Sequence, residues 1–235
     1  MKNSFILLML MASLSGCSQN VFHDKQAQVR QVGPFTGVEV SGAIDLQLSQ
    51  GSGDSVAVSG GPDGNTNDIK TEVRNGVLKI WHNRESWFKN TPKMVAYVSV
   101  RTLNKLVASG ASDISINGPL TTADLSIHLS GACDLQGSIK ASSLSITLTG
   151  ASDMDLKGNA ENTTVDASGA SHLKGYDFVA GHCRIEASGA SDILLTVNKS
   201  INAEASGAST IFYKGPAQAG KISSSGASQI SRKDN

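Results

Sequence analysis

The stretch Ile185-Glu186-Ala187-Ser188-Gly189-Ala190-Ser191-Asp192-Ile193 decides the fold, because six more versions of it stand elsewhere in the chain. The central glycine recurs as Gly110, Gly131, Gly150, Gly169, Gly189, Gly207 and Gly226, at spacings of 21, 19, 19, 20, 18 and 19 residues. One position earlier there is always serine or threonine, and one later always alanine. Four after the glycine the residue is always aliphatic: Ile114, Leu135, Met154, Leu173, Ile193, Ile211 and Ile230. Four before stand Leu106, Ile127, Ile146, Val165, Ile185, Ala203 and Ile222, and two before Ala108, Leu129, Leu148, Ala167, Ala187, Ala205 and Ser224. Apolar residues at every second position mark strands with one buried face.

Registered copies every 19 residues or so specify a repeat architecture. The period is long enough for one coil of two or three short strands, so the expected fold is all-β: a single-chain parallel β-helix-like solenoid of about 19 residues per coil. Coils stacked about 4.8 Å apart align equivalent residues into ladders. Aliphatic rows are expected inside, serine and threonine rows outside, and Gly-Ala at a tight corner. A second set of glycines, Gly118, Gly137, Gly158, Gly175 and Gly215, predicts another corner and a roughly triangular section. An early copy, Val38-Glu39-Val40-Ser41-Gly42-Ala43-Ile44-Asp45-Leu46, lies 68 residues before Gly110. The intervening chain still alternates at Val56-Ala57-Val58, Gly76–Ile80 and Val95–Val100, and is expected to hold decorated coils. One domain over residues 34–231 follows, with a less regular N-terminal half and regular rungs from about residue 104.

The opening residues read differently. Lys2 precedes an apolar run from Phe5 to Met11, which is too short to span a bilayer. Leu14-Ser15-Gly16-Cys17 resembles the bacterial lipobox, in which cleavage precedes a cysteine that is then acylated. This implies a lipoprotein signal peptide over residues 1–16, acylation (palmitate among the chains) at Cys17, and a membrane partner reached through the lipid. Ser18 in the following position implies the outer membrane by resemblance to lipoproteins of Gram-negative bacteria. Residues 17–33 are polar and unpatterned, as expected of a flexible tether.

With these features on the page, the chain resembles the auto-transporter adhesin, head GIN domain family of bacterial envelope proteins. The resemblance is carried by Phe35-Thr36-Gly37-Val38-Glu39-Val40-Ser41-Gly42, by Asn75-Gly76-Val77-Leu78-Lys79-Ile80 and by the serial Ser-Gly-Ala-Ser-Asp rungs. It implies a β-helix-like solenoid and an adhesive role, and brings no catalytic or ligand residues.

Composition removes several function classes. Twenty Lys and Arg balance 20 Asp and Glu, and the pI near 7.0 lacks the basic excess of a nucleic-acid binder. The five histidines show no metal-ligand spacing, so no metal and no cofactor are expected. Cys133, two after its glycine, and Cys183, six before, fall in different rows about two coils apart, which argues against a disulfide. A catalytic group should break a repeat, and no acid cluster of the kind used by pectinolytic β-helices is found, so no enzyme and no catalytic residue is expected.

Two groups remain as candidate sites. Three after the glycine stand Asp113, Asp134 and Asp153, then His172 and Asp192. These aspartates are expected to accept backbone hydrogen bonds at the turn, with a weak surface ladder for cations as the sharper reading. The Gly-Gly-x-Gly-x-Asp calcium roll is excluded, because its period is nine. Trp81, Trp87, Phe88 and Tyr97 gather four of the eleven aromatics in the least regular stretch. They are expected either to plug the N-terminal end of the solenoid or to bind a carbohydrate or protein ligand. The functional expectation is a non-enzymatic, lipid-anchored envelope protein with adhesin-like binding faces. The alternative is a structural module of the periplasm that self-associates as a homo-oligomer through its last, uncovered rung.

Overall fold

The computed structural model describes residues 24, 26–60, 66–82 and 94–233. Among these, sixteen strands and no helix form a solenoid of about seven turns, each of roughly 19 residues. The regular part is built from β9 (Asp113–Gly131), β10 (Asp134–Leu148), β11 (Asp153–Ala167), β12 (His172–Ala187) and β13 (Asp192–Ala205), stacked parallel in that order. Every coil turns at its repeat glycine, which has positive φ in all seven copies. The second corner is less uniform: Gly118, Gly158 and Gly215 have positive φ, while Gly137 and Gly175 do not.

The expected rows are inside. Leu106, Ile127, Ile146, Val165, Ile185 and Ala203 are all fully buried, and the aliphatic row after the corner joins them from Ile114 to Ile211. One row departs from expectation. The serine two after the glycine was assigned to the outside, yet Ser112, Ser152, Ser171, Ser191 and Ser209 are 0% exposed. A buried hydroxyl must find an acceptor. Four of the five do so locally, Ser171 Oγ donating to the Ser168 carbonyl at 2.9 Å, Ser191 to Ser188 at 2.9 Å and Ser209 to Ser206 at 2.8 Å, with Ser152 alike, while Ser112 donates to Gly42 of the neighbouring coil. The serine therefore closes the corner from within. Cys133 takes the same place, with Sγ 3.3 Å from the Ser130 carbonyl, and both Cys133 and Cys183 are buried free thiols. Burial pushes the Cys183 thiol up to about 12, which leaves it unreactive at neutral pH.

The N-terminal half also departs from expectation, in its stacking order. The early copy, β2 (Gly37–Gly42) and β3 (Ile44–Gln50), pairs directly with β8 (Lys105–Gly110) and β9, so Gly42 lies next to Gly110. The residues between them do not stack between them. Instead β6 (Val77–His82) and β7 (Met94–Val100) pair with the opposite edges of β2 and β3 and form the outermost coil. Two antiparallel strands then cover that coil: β5 (Ile69–Arg74) on β6 and β4 (Ser55–Ser59) on β7. The β5–β6 turn is Asn75-Gly76, with φ of 53° and 73°, the pair of left-handed residues that a two-residue hairpin demands. This end is thus closed by the β5–β6 hairpin and by β4.

The segment read as a free tether from 17 to 33 is partly built into the sheet. β1 (Gln28–Arg30) pairs antiparallel with β4, and Val32 packs against the core. At the other end, β14 (Thr210–Lys214), β15 (Gln218–Ser224) and β16 (Gln229–Arg232) complete the stack, with every residue of β15 exposed.

Three substitutions test this account. Gly169 has φ of 81°, and a Cβ there would lie 2.4 Å from the Gly150 carbonyl oxygen of the coil below. Gly169→Ala is expected to cost at least about 1–3 kcal/mol from backbone strain, while Gly53→Ala, with nothing within 4 Å, stays near neutral. Thr163 is 3% exposed in the inward row between Leu144 and Cys183, and its hydroxyl has no partner. Thr163→Val is expected to stabilise by about 1 kcal/mol. Urea denaturation midpoints measure all three.

Candidate functional site

Outward rows flank the glycine corner on both sides, and each side forms a long shallow trough. On the entering side, Asp166, Glu186 and Glu204 stand in register on successive coils, three residues before the glycine. Beside them run Thr149, Ser168, Ser188 and Ser206, one residue before it. The backbone of Ala167, Ala187 and Ala205 forms the floor of this trough of about 320 Å³. Burial and the neighbouring Glu186 raise the Asp166 carboxyl above its ordinary value. Cations along the row moderate the crowding: Lys221 Nζ lies 2.6 Å from Glu204 Oε1, and Arg184 Nε donates to Glu186 Oε1 at 3.1 Å. The sequence reading missed this acid row, although the same glycine alignment displays it.

On the leaving side, Asp113, Asp134 and Asp153 are neighbours in the parallel ladder, and Asp45 of the early copy extends them. With Gln47, Ser115, Gln136, Asp155 and Lys174 they line a groove of about 450 Å³. The aspartates reach between coils rather than within one turn, since Asp45 Oδ1 accepts the Asp113 backbone N–H at 3.3 Å. Burial, then the charges of Asp153 and Asp113, raise the Asp134 carboxyl. The row is interrupted by His172, whose Nδ1 lies 2.8 Å from Asp153 Oδ1 and whose Nε2 lies 3.6 Å from Asp192 Oδ2. Among the described residues no three His, Cys, Asp or Glu converge to hold a metal ion.

The two described aromatic candidates, Trp81 and Tyr97, lie on different strands of the end coil. Trp81 sits half-buried on β6, in the stack of β2 and β8, and Tyr97 half-buried on β7, in the stack of β3 and β9. The Tyr97 hydroxyl donates to Asp24 Oδ2 at 3.0 Å. Its phenol is pushed up to about 12, by burial first and then by the Asp24 carboxylate. Trp87 and Phe88 lie outside the described residues, as do Cys17 and the lipobox.

One line of residues has the elements of an acyl-transfer site. Ser200 Oγ is 2.8 Å from His182 Nδ1, and Glu161 Oε1 is 3.8 Å from His182 Nε2. The geometry does not support that chemistry. Glu161 is held by Lys199 Nζ at 2.6 Å, and the histidine and glutamate side chains are half exposed on an open strand face. Water there screens the electrostatic assistance that a developing oxyanion requires.

The acid ladder makes a signed prediction. A carboxyl whose folded pKa is raised destabilises the fold when ionised, so its penalty is present above that pKa and absent below the unfolded value near 3.8. Asp134→Asn is therefore expected to stabilise at pH 7 by a few tenths of a kcal/mol, the aspartate being solvent-exposed. The gain should shrink in high salt and vanish below pH 3.8. Paired urea titrations at several pH values measure it.

A crystal structure titled a putative adhesin from Bacteroides fragilis NCTC 9343 superposes with a TM-score of 0.81 and 23% identity, covering 88% of this chain and 96% of the other. One titled a putative lipid binding protein and one titled a putative adhesin, both from Parabacteroides distasonis ATCC 8503, give TM-scores of 0.68 and 0.71. Their identities are 18% and 16%, each over 88% of this chain and 96% of the other. At these identities the likeness establishes the shared solenoid alone. No curated protein matches the chain. The family model described as "Putative auto-transporter adhesin, head GIN domain" matches residues 34–217, most of the chain, and the protein belongs to that family.

Proposed function

We propose that the protein is a non-enzymatic binding head of the cell envelope, adhesin-like, anchored by lipid at Cys17 and held at the outer membrane. The observation that carries the reading is the pair of polar troughs. Hydroxyl and carboxylate rows repeat on successive coils without converging on any reacting centre. Such a surface offers many equivalent hydrogen-bond acceptors and donors along a rigid line, which suits a polar carbohydrate or protein ligand and suits catalysis poorly. In this reading Asp113, Asp134 and Asp153 attract cations as a charged row, without a chelating cluster. Trp81 on β6 is a flanking contact in this reading, and Tyr97 belongs to the closure of the N-terminal end.

A specific observation favours the second reading, a structural module that self-associates. β15 is exposed along its whole length, and Ile222 is 41% exposed on it. Lys221 on β15 and Arg232 on β16, which stacks on β14, blunt that edge, since charge on an edge strand opposes strand addition.

A glycan and matrix-protein array decides between them, using the chain from Ser18 so that the strand before residue 34 is kept. Binding is expected, and Glu186→Lys with Glu204→Lys should weaken it at least tenfold, whereas Trp81→Ala should have the smaller effect. Silence from the unmodified chain, together with concentration-dependent dimers in sedimentation, would replace the binding head by the structural module.

A further inference from the structure

Residues 24–33 are tied to the body of the solenoid at several independent points. β1 pairs in register with β4, Gln28 opposite Val58 and Arg30 opposite Val56. Asp24 accepts the Tyr97 hydroxyl at 3.0 Å and the Gln26 backbone N–H at 3.0 Å. Its carboxyl lies below the ordinary aspartate value because these donors, with the Ser59 hydroxyl and the Ala27 N–H, outweigh the cost of burial. Arg30 donates to the Thr66 carbonyl at 2.9 Å, and the Thr66 hydroxyl bonds the Gln28 side chain. All these partners belong to the N-terminal, hairpin-closed end of the stack.

We propose that Asp24 and residues 26–33 form a docked strap that turns this N-terminal end toward the membrane and holds it there on a short leash. The inference rests on the reading of Cys17 as the lipid-bearing residue. Asp24 stands seven positions after Cys17, so the lipid and the first docked residue are at most about 25 Å apart. Without the strap the first core residue would be Phe35, eighteen positions on, with a reach of about 60 Å. Docking thus removes more than half of the tether. The head can no longer lie freely on its side, and the regular rungs with both troughs project outward.

Among the described residues, no free cationic patch supplies this orientation. The cations described at this end are committed within the protein: Arg74 to Glu72 at 3.1 Å, Lys79 to Glu39 at 3.0 Å, Arg101 to Asp54 at 3.1 Å and Lys70 to the Asn67 carbonyl at 2.8 Å. Orientation set by a leash should therefore not depend on anionic lipid, in contrast to a basic surface that binds headgroups.

The test uses full-length, processed protein in phosphatidylcholine vesicles carrying a headgroup acceptor fluorophore. Donor dyes go on Lys70→Cys in β5 or Gln218→Cys in β15, both exposed, while the native Cys133 and Cys183 are buried and spared. Energy transfer is expected to be at least twofold stronger from position 70, and unchanged when phosphatidylglycerol is added. In Asp24→Ala with Arg30→Ala, transfer from position 70 should fall at least twofold, and the β1 amides should lose at least tenfold in hydrogen-exchange protection. Protection in β9 to β13 should not change. Equal transfer from the two positions, a requirement for anionic lipid, or unprotected β1 amides in the wild-type chain would each overturn the strap. Peptide mass spectrometry separates the two readings: an unmodified Cys17 removes the lipid anchor on which the leash depends, whereas acylated Cys17 with equal transfer defeats the strap alone.

Discussion

Everything regular in this molecule depends on how closely the backbone approaches itself at the glycine corner. The alanine N–H of each coil donates to the glycine carbonyl of the coil below at 2.7–2.8 Å, from Ala111 on Gly42 through to Ala227 on Gly207. A side chain on the glycine would place its Cβ 2.3–2.8 Å from that same carbonyl oxygen. The positions also require positive φ, which costs a non-glycine residue about 1–3 kcal/mol. Glycine is thus doubly required, by conformation and by proximity. The hydrogen-bond ladder can then continue around the bend from coil to coil.

That constraint explains why the regular half was legible from the amino-acid order and the irregular half was not. Alternation around each glycine identifies inward and outward rows, because strand side chains alternate by geometry. It carries no information about which coil stacks on which. Where consecutive coils are also consecutive in sequence, as from β8 to β13, the two orders coincide and the reading succeeds. Around Gly42 they diverge: the chain lays down the second coil first, returns to build the end coil from β6 and β7, and then crosses to β8. Long-range pairing of this kind leaves only turn signals behind. Asn75-Gly76 was such a signal, and it marks the hairpin that closes the end. The serine row shows a second limit. Polarity alone places Ser171 or Ser191 outside, and only the short bond to the carbonyl three residues earlier shows how a hydroxyl is satisfied inside.

The candidate surface was legible to the same degree. The aspartate row from Asp113 to Asp153 follows directly from the glycine alignment and stands in register. The row of Asp166, Glu186 and Glu204 obeys the same alignment, but its upstream members are Thr147 and His128, so the mixed chemistry hides it. Tyr97 was legible only as an open choice. An aromatic in an irregular, polar stretch reads either as a plug of the N-terminal end or as a ligand contact, and the bond of its hydroxyl to Asp24 comes from a distant segment. Contacts across 73 residues leave no local pattern.

Uniform ladders constrain the kind of ligand that the proposed binding head can use. Each coil contributes one acid or one hydroxyl at a spacing of about 4.8 Å, and a single solvent-exposed contact of this type is weak. A ligand that touches one rung gains little over water. One that presents repeated polar groups along a line engages several rungs at once, and each further contact becomes intramolecular, at high effective concentration. Rigidity makes this possible, because rungs whose backbone is locked by the glycine ladder lose only side-chain freedom when they are occupied. The same logic explains why no rung needs special chemistry: affinity on such a face grows with the number of matched repeats, and an extended, repeating partner is what a solenoid of equivalent coils selects.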